Sequence, residues 1–173
     1  IWRGQTSNVI ELLAARINQC RSEKMENTFV LGVGAQKAGT SWLFQSLSSQ
    51  KAACFGPLKE WHIWDYVDDP KLHQGFRAQP GKLKNFIERS RMQRNPTSYY
   101  PRFFQDLLSQ NPSKKLTGDF TPSYSTLSAH TFSMIRDSLR DAGFKVRVVF
   151  LLRDPAERIW SALKMQARNS GKG

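Results

Sequence analysis

The sequence predicts an α/β fold with a central parallel sheet and helices on both faces. Three observations carry that prediction. Short apolar, strand-like runs alternate with segments of helical periodicity. Two of these runs, Thr28–Val33 and Lys145–Leu152, each pass through a glycine- or proline-marked junction into a helix. The second run, "KVRVVFLL", is continuous rather than alternating, the pattern of a strand covered on both faces.

The elements follow in order. Asn8–Met25 sets Val9, Leu12, Leu13 and Ile17 on one side of a helix, so residues 1–27 form an N-terminal helical segment ahead of a domain over 28–173. Thr28–Val33 is a buried strand, and Thr40–Ser49 a helix with Leu43, Phe44 and Leu47 inward. Lys82–Arg91 and Arg102–Ser109 are helices, each limited by a nearby proline. Ser128–Asp141 is another, closed by Gly143. After the Lys145–Leu152 strand a helix begins with Asp154 as N-cap, Pro155 in the first helical position and Glu157 in the first turn.

Charge narrows the class of partner. The 173 residues hold 26 Lys and Arg against 14 Asp and Glu, a net charge of +12, which points to an anion: nucleotide, nucleic acid, membrane surface or acidic polysaccharide. The excess runs from Arg3 to Lys172 rather than in one block, which argues against a nucleic-acid arm. Cys20 and Cys54 are too few for a disulfide framework, and the three histidines do not cluster with them, so no metal site is expected. No apolar run approaches the ~20 residues of a membrane span.

The stretch "GVGAQKAGTSW" carries the chemistry. Gly34 and Gly39 have the spacing of a nucleotide-binding phosphate loop, but Thr40 stands where that loop has its lysine, and Lys37 lies inside the loop instead. The backbone N–H groups of Gly39, Thr40 and Ser41, at a helix start, suit an anion whatever its identity. A kinase would need an acidic residue for Mg²⁺ at the end of a second strand; here Arg153 comes first, before Asp154. In "RDPAERIWS", Arg153 and Ser161 converge on a second, separate phosphate, with Ser161 on the helix face of Asp154 and Arg158.

With both motifs present in this order, the chain resembles the sulfotransferases that use 3′-phosphoadenosine 5′-phosphosulfate (PAPS), most closely the glycan (heparan-sulfate-type) and related bacterial branch. "GAQKAGTSW" is similar to the family's 5′-phosphosulfate loop and "RDPAERIWS" to its 3′-phosphate motif, over roughly Phe29–Ala167. The resemblance implies a P-loop-like three-layer α/β/α fold that continues past the 3′-phosphate helix, so the chain is expected to lack the family's C-terminal portion. It implies PAPS as co-substrate without metal, held by Gln36, Lys37, Ala38, Gly39, Thr40, Ser41, Trp42, Arg153 and Ser161. Trp42 lies near the adenine or packs beneath its helix, and packing is the plainer expectation.

"LKEWHIWD" is similar to the segment that carries the family's base, so the role passes to Glu60, with His62 as helper and Lys37 on the leaving phosphate. Partial desolvation by Trp61, Trp64 and Phe55 is expected to raise the Glu60 pKa; read without the family, a surface Lys–Glu pair beside a core histidine is the simpler account. "TGDFTPSYS" is similar to the family's acceptor-cleft segment, which implies Asp119 and Tyr124, with Lys59, at the acceptor; read without the family, it is equally a proline turn packed by Phe and Tyr. Phe120 stands where glycosaminoglycan enzymes often have lysine, which weighs against a heparan-type substrate.

The expected acceptor is a hydroxyl compound, a carbohydrate or acidic glycan among the candidates. "ERSRMQRNPTSYYPRFF" is either a floor for that acceptor or a solvated helix face. The resemblance implies a cytoplasmic enzyme if bacterial and a Golgi-luminal one if eukaryotic. Two other classes stay open on the residues alone: an ATP–Mg²⁺ nucleotide kinase, and a non-catalytic anion- or nucleic-acid-binding module.

Overall fold

A computed structural model describes residues 26–73 and 83–170. The expected helix at 8–25 lies outside the described residues. Three parallel strands form the sheet: β1 (Thr28–Gly34) in the centre, β2 (Leu116–Asp119) and β3 (Lys145–Phe150) at its sides. Eight further segments among the described residues are helical: α1 (Thr40–Ser48), α2 (Trp64–Asp68), a 3₁₀ turn at Pro70–His73, α3 (Leu83–Arg94), α4 (Pro96–Ser109), a 3₁₀ turn at Pro122–Thr126, α5 (Ala129–Asp141) and α6 (Pro155–Asn169). The fold is mixed helix and strand on a parallel sheet, as the alternation of periods predicts.

β1 alternates between two cores, as a two-residue period requires. Phe29, Leu31 and Val33 pack with Trp61, Trp64, Tyr100 and Phe104 and with Ile135 and Leu139 of α5. Val30 joins Leu43 and Leu47 of α1, Phe55, Leu116 and Phe120. Leu43 and Leu47 are thus inward as expected, and Phe44 is half-buried against the same cluster.

Two expectations need correction. α4 does not start at Arg102 as expected: it begins six residues earlier, at Pro96, and continues through Pro101. Pro101 lies in the helix's second turn, where it removes one backbone donor, while the amphipathic face of Tyr100, Phe104 and Leu108 stays buried. β3 is not covered on both faces. It is an edge strand, and Val148 is 58% exposed and Phe150 49%. α6 buries none of its residues, which leaves Ile159, Trp160 and Leu163 open. A continuous apolar run cannot distinguish a central strand from an edge strand.

Among the described residues two helices are capped by side chains, the second by Asp154 as read. The Ser128 side chain accepts from Thr131 N–H at 3.2 Å, and the Asp154 side chain from Glu157 N–H at 3.0 Å. No helix among the described residues is long and apolar enough to cross a membrane. Cys54, half-buried, is a free thiol.

Candidate functional site

The ends of β1 and β3 are joined beyond the sheet ladder. Leu151 N–H donates to the Gly34 carbonyl at 2.8 Å, and Ala35 N–H to the Leu151 carbonyl at 3.1 Å. That pairing brings the glycine loop and the start of α6 side by side. They border a cleft of about 340 Å³. Gln36, Lys37, Gly39, Thr40 and Ser41 line it from the loop, Arg153 and Ser161 from the second junction, and Lys59 and Glu60 from between them.

The loop owes its shape to Gly39, whose φ of 102° at the N-cap of α1 is left-handed. No side chain caps this helix, so its first-turn amides are offered to whatever enters the cleft. Ala38 N–H closes the turn onto the Ala35 carbonyl at 3.1 Å, and Lys37 takes a φ of 66°. Arg153 Nη1 donates to the Lys37 carbonyl at 3.2 Å while its Nε donates to Glu157 at 3.1 Å. Lys37 Nζ lies 3.7 Å from the sulfur of Met165. The two motifs are therefore in direct contact, with the lysine side chain between them.

Lys59 belongs to the loop more than to an acceptor surface. Its ammonium donates to Thr40 Oγ1 (3.2 Å) and Ser41 Oγ (3.0 Å) and pairs with Glu60 Oε1 at 2.7 Å. The other Glu60 oxygen is 3.4 Å from His62 Nε2, and His62 Nδ1 is 2.6 Å from Asp65 Oδ2. Ser123 Oγ and Tyr66 N–H donate to the Asp65 carboxylate at 2.6 and 3.0 Å. An alternating chain of charge, Lys59–Glu60–His62–Asp65, thus runs from the loop hydroxyls into the protein.

The chain of charge reverses the expected shift at Glu60. Burial raises this carboxyl, but hydrogen bonds from His62 and Lys59, with their charges, outweigh burial and hold it below its ordinary range. Trp61 and Trp64, on the same segment, are themselves fully buried in the core. Burial likewise opposes a charged His62, yet the bonds to Asp65 and Glu60 raise the imidazole from its ordinary 6.5 to about 9. Since the folded value exceeds the unfolded one, the stabilisation is complete below pH 6.5 and drains away as pH rises through 9. Thermal unfolding between pH 6 and 10 should show a loss on the order of 3 kcal/mol, absent in His62→Gln.

Other expected site residues fall elsewhere. Asp119 and Tyr124 are fully buried and do not line the cleft. The Asp119 carboxylate accepts from Thr121 Oγ1 (2.6 Å), Tyr124 Oη (2.9 Å) and Tyr100 Oη (3.0 Å). Burial pushes its pKa up to about 6 against those bonds. The pair supports the site from beneath: Tyr124 Oη accepts from Ile63 N–H at 3.1 Å, and Asp119 from Trp61 N–H at 3.3 Å. Trp42, 46% exposed, neither packs beneath α1 nor lines the cleft, and Ala38 contributes only its turn. Tyr100 and Phe104, read as a possible acceptor floor, are core residues.

Sequence reasoning missed Met165, Pro122 and Asp65. Met165 had a signal, since it lies one turn beyond Ser161 on the same helix face. Asp65 follows His62 by three residues within the quoted motif, the spacing of a local His–Asp pair. Pro122 had none, because its place at the cleft depends on the tertiary fold.

Lys37, Lys59 and Arg153 line the cleft against one carboxylate, Glu60, so its lining is net positive beside the first-turn amides of α1. Among the described residues no group of three or more His, Cys, Asp or Glu could hold a metal ion. Comparison with protein-family models, curated proteins and solved structures yields no match for this chain.

Proposed function

We propose that this chain is a PAPS-dependent sulfotransferase with a P-loop-like three-layer fold. It transfers a sulfuryl group to the hydroxyl of an acceptor, a carbohydrate or similar compound. One observation supports this above the others: both anion motifs and Glu60 border a single cleft. In this reading the 5′-phosphosulfate rests on residues 36–41 and the 3′-phosphate on Arg153 and Ser161. The acceptor oxygen attacks sulfur in line, its proton passes to Glu60, and the sulfur–oxygen bond to the 5′-phosphate breaks. The electron pair stays on the phosphate oxygen, where Lys37 offsets the charge.

Glu60 is held as a carboxylate by two cations, which makes it available as a base but weakens its pull on a proton. Lys59 resolves this. It already bonds the loop hydroxyls at 3.0 and 3.2 Å, so a phosphosulfate arriving there draws the ammonium toward itself and loosens its hold on Glu60. The base thus strengthens when the donor is bound.

Calorimetry with the desulfated product, 3′-phosphoadenosine 5′-phosphate (PAP), against ATP–Mg²⁺ and duplex DNA tests the reading. The charged contact of Arg153 with a 3′-phosphate is worth roughly 1.5–3 kcal/mol, so PAP should bind about tenfold or more tighter than ATP–Mg²⁺. Preference for ATP–Mg²⁺ would favour a kinase, and salt-sensitive DNA binding without PAP binding a nucleic-acid module; either result removes the proposal.

A further inference from the structure

Helix α3 lines no part of the cleft, yet it grips the segment that carries Glu60 and His62. Arg89 Nη2 donates to the Glu60 carbonyl at 3.0 Å, and Gln93 Nε2 donates to the His62 carbonyl at 3.4 Å. The two side chains are four residues apart, so one helix face meets two alternate carbonyls. The segment they hold is irregular: His62 has a φ of 54°, in the left-handed region that non-glycine residues adopt uncommonly. Such a conformation persists where its surroundings over-determine it.

The opposite side of the segment is tied as well. Trp61 N–H donates to Thr121 Oγ1 at 3.1 Å, and Phe120 N–H to the Lys59 carbonyl at 2.9 Å. The same two peptide planes are held on this side through Trp61 N–H, on Asp119 and Thr121, and through Ile63 N–H, on Tyr124 Oη, so α3 closes the second side of a clamp by engaging the carbonyls of Glu60 and His62. Arg89 is partly buried, so its guanidinium is not a surface charge that meets the segment by accident.

We propose that Arg89 and Gln93 are positioning residues: from α3 they hold the backbone of residues 60–62 so that the Glu60 carboxylate faces His62 and Lys59 at the cleft wall. That this carboxylate acts as a base rests on the sulfuryl-transfer reading; the clamp itself does not.

The His62 ring reports on the clamp directly. Glu60 and Asp65 face it at 3.4 and 2.6 Å, Ser123 Oγ lies 3.5 Å from Nδ1, Lys59 stands beyond Glu60, and Arg89 is the charge that α3 brings. Imidazole NMR titration of the full chain, with His62→Gln to separate this ring from those of His73 and His130, gives its midpoint. Loss of the Arg89 charge alone would raise the midpoint, by removing a repulsive neighbour. Release of the segment would instead withdraw Glu60 and lower the midpoint by about one unit.

We expect a fall in Arg89→Met; a rise, or no change, overturns the clamp. Where Arg89→Met does not fold, Gln93→Leu reads the same clamp with no change of charge, and an unmoved midpoint there overturns it too. Absence of PAP binding would remove the sulfuryl-transfer reading and leave this result standing. An unmoved His62 would do the reverse.

Discussion

On the proposed sulfuryl-transfer reading, Lys37→Ala is expected to lower transfer by about 10²–10³-fold while the chain stays folded. The ammonium is the loop's own mobile cation, half-buried and 3.7 Å from the Met165 sulfur, a contact that contributes little charge compensation. A developing charge on the leaving phosphate is the partner that would use it fully. The fold should tolerate the change because Lys37 already occupies a left-handed backbone, with φ at 66°, and alanine meets the same cost there as lysine. Its carbonyl, which accepts from Arg153 Nη1, is unaltered. PAP affinity should therefore fall by about tenfold at most, since the helix amides, Arg153 and Ser161 remain. Single-turnover transfer from PAPS, with PAP binding measured in parallel, separates the two effects. Full activity in the variant would take Lys37 out of the mechanism, and a collapse of binding equal to the loss of rate would make it a binding residue only.

The cleft was legible from the sequence wherever local chemistry sets the structure. Gly34, Gly39, Asp154 and Pro155 each mark a junction through backbone preferences that act over a few residues, and both junctions form as read. Arg153 and Ser161, eight residues apart on the junction after β3 and on the next helix, could be matched to Lys37 and Thr40 because a parallel sheet places the ends of neighbouring strands together. What failed to show were features decided by tertiary contact. Glu60 was expected to be raised by aromatic burial, yet Trp61 and Trp64 point into the core, and Lys59 and His62 set its ionisation instead.

Asp119 and Tyr124 fail for a related reason. They were placed at the acceptor through resemblance to the family's cleft segment, whereas a carboxylate is rarely buried unless it is bonded. The bonds from Thr121, Tyr100 and Tyr124 that make burial tolerable come from residues up to 19 positions away. β3 shows the opposite error: its apolar run looks central, while its place at the sheet edge leaves Val148 and Phe150 exposed. Hydrophobicity records which residues could be covered, and only the topology records which are.

Gly118→Ala bears on β2, the strand that sequence periodicity did not reveal, and should destabilise the fold by about 3 kcal/mol or more. "LTGD" has two residue types depleted in strands, and its β2 geometry comes from pairing with β1, where Gly118 is opposite Val30. A Cβ at this position would lie 2.0 Å from the Val30 carbonyl oxygen and 2.9 Å from its carbon. Both are backbone atoms of the central strand, so no side chain can swing aside. The strands must part, at the point where Asp119 and Thr121 carry the bonds to the Trp61 amide that supports the site. For a chain of this length the melting temperature should drop by roughly 6–12 °C. Gly39→Ala makes the comparison: its φ of 102° is strained for alanine, but nothing lies within 4 Å of the new Cβ. It should cost only about 1–2 kcal/mol. If Gly39→Ala were the more damaging of the two in thermal unfolding, the close packing of β1 on β2 could not be what holds the floor of the cleft.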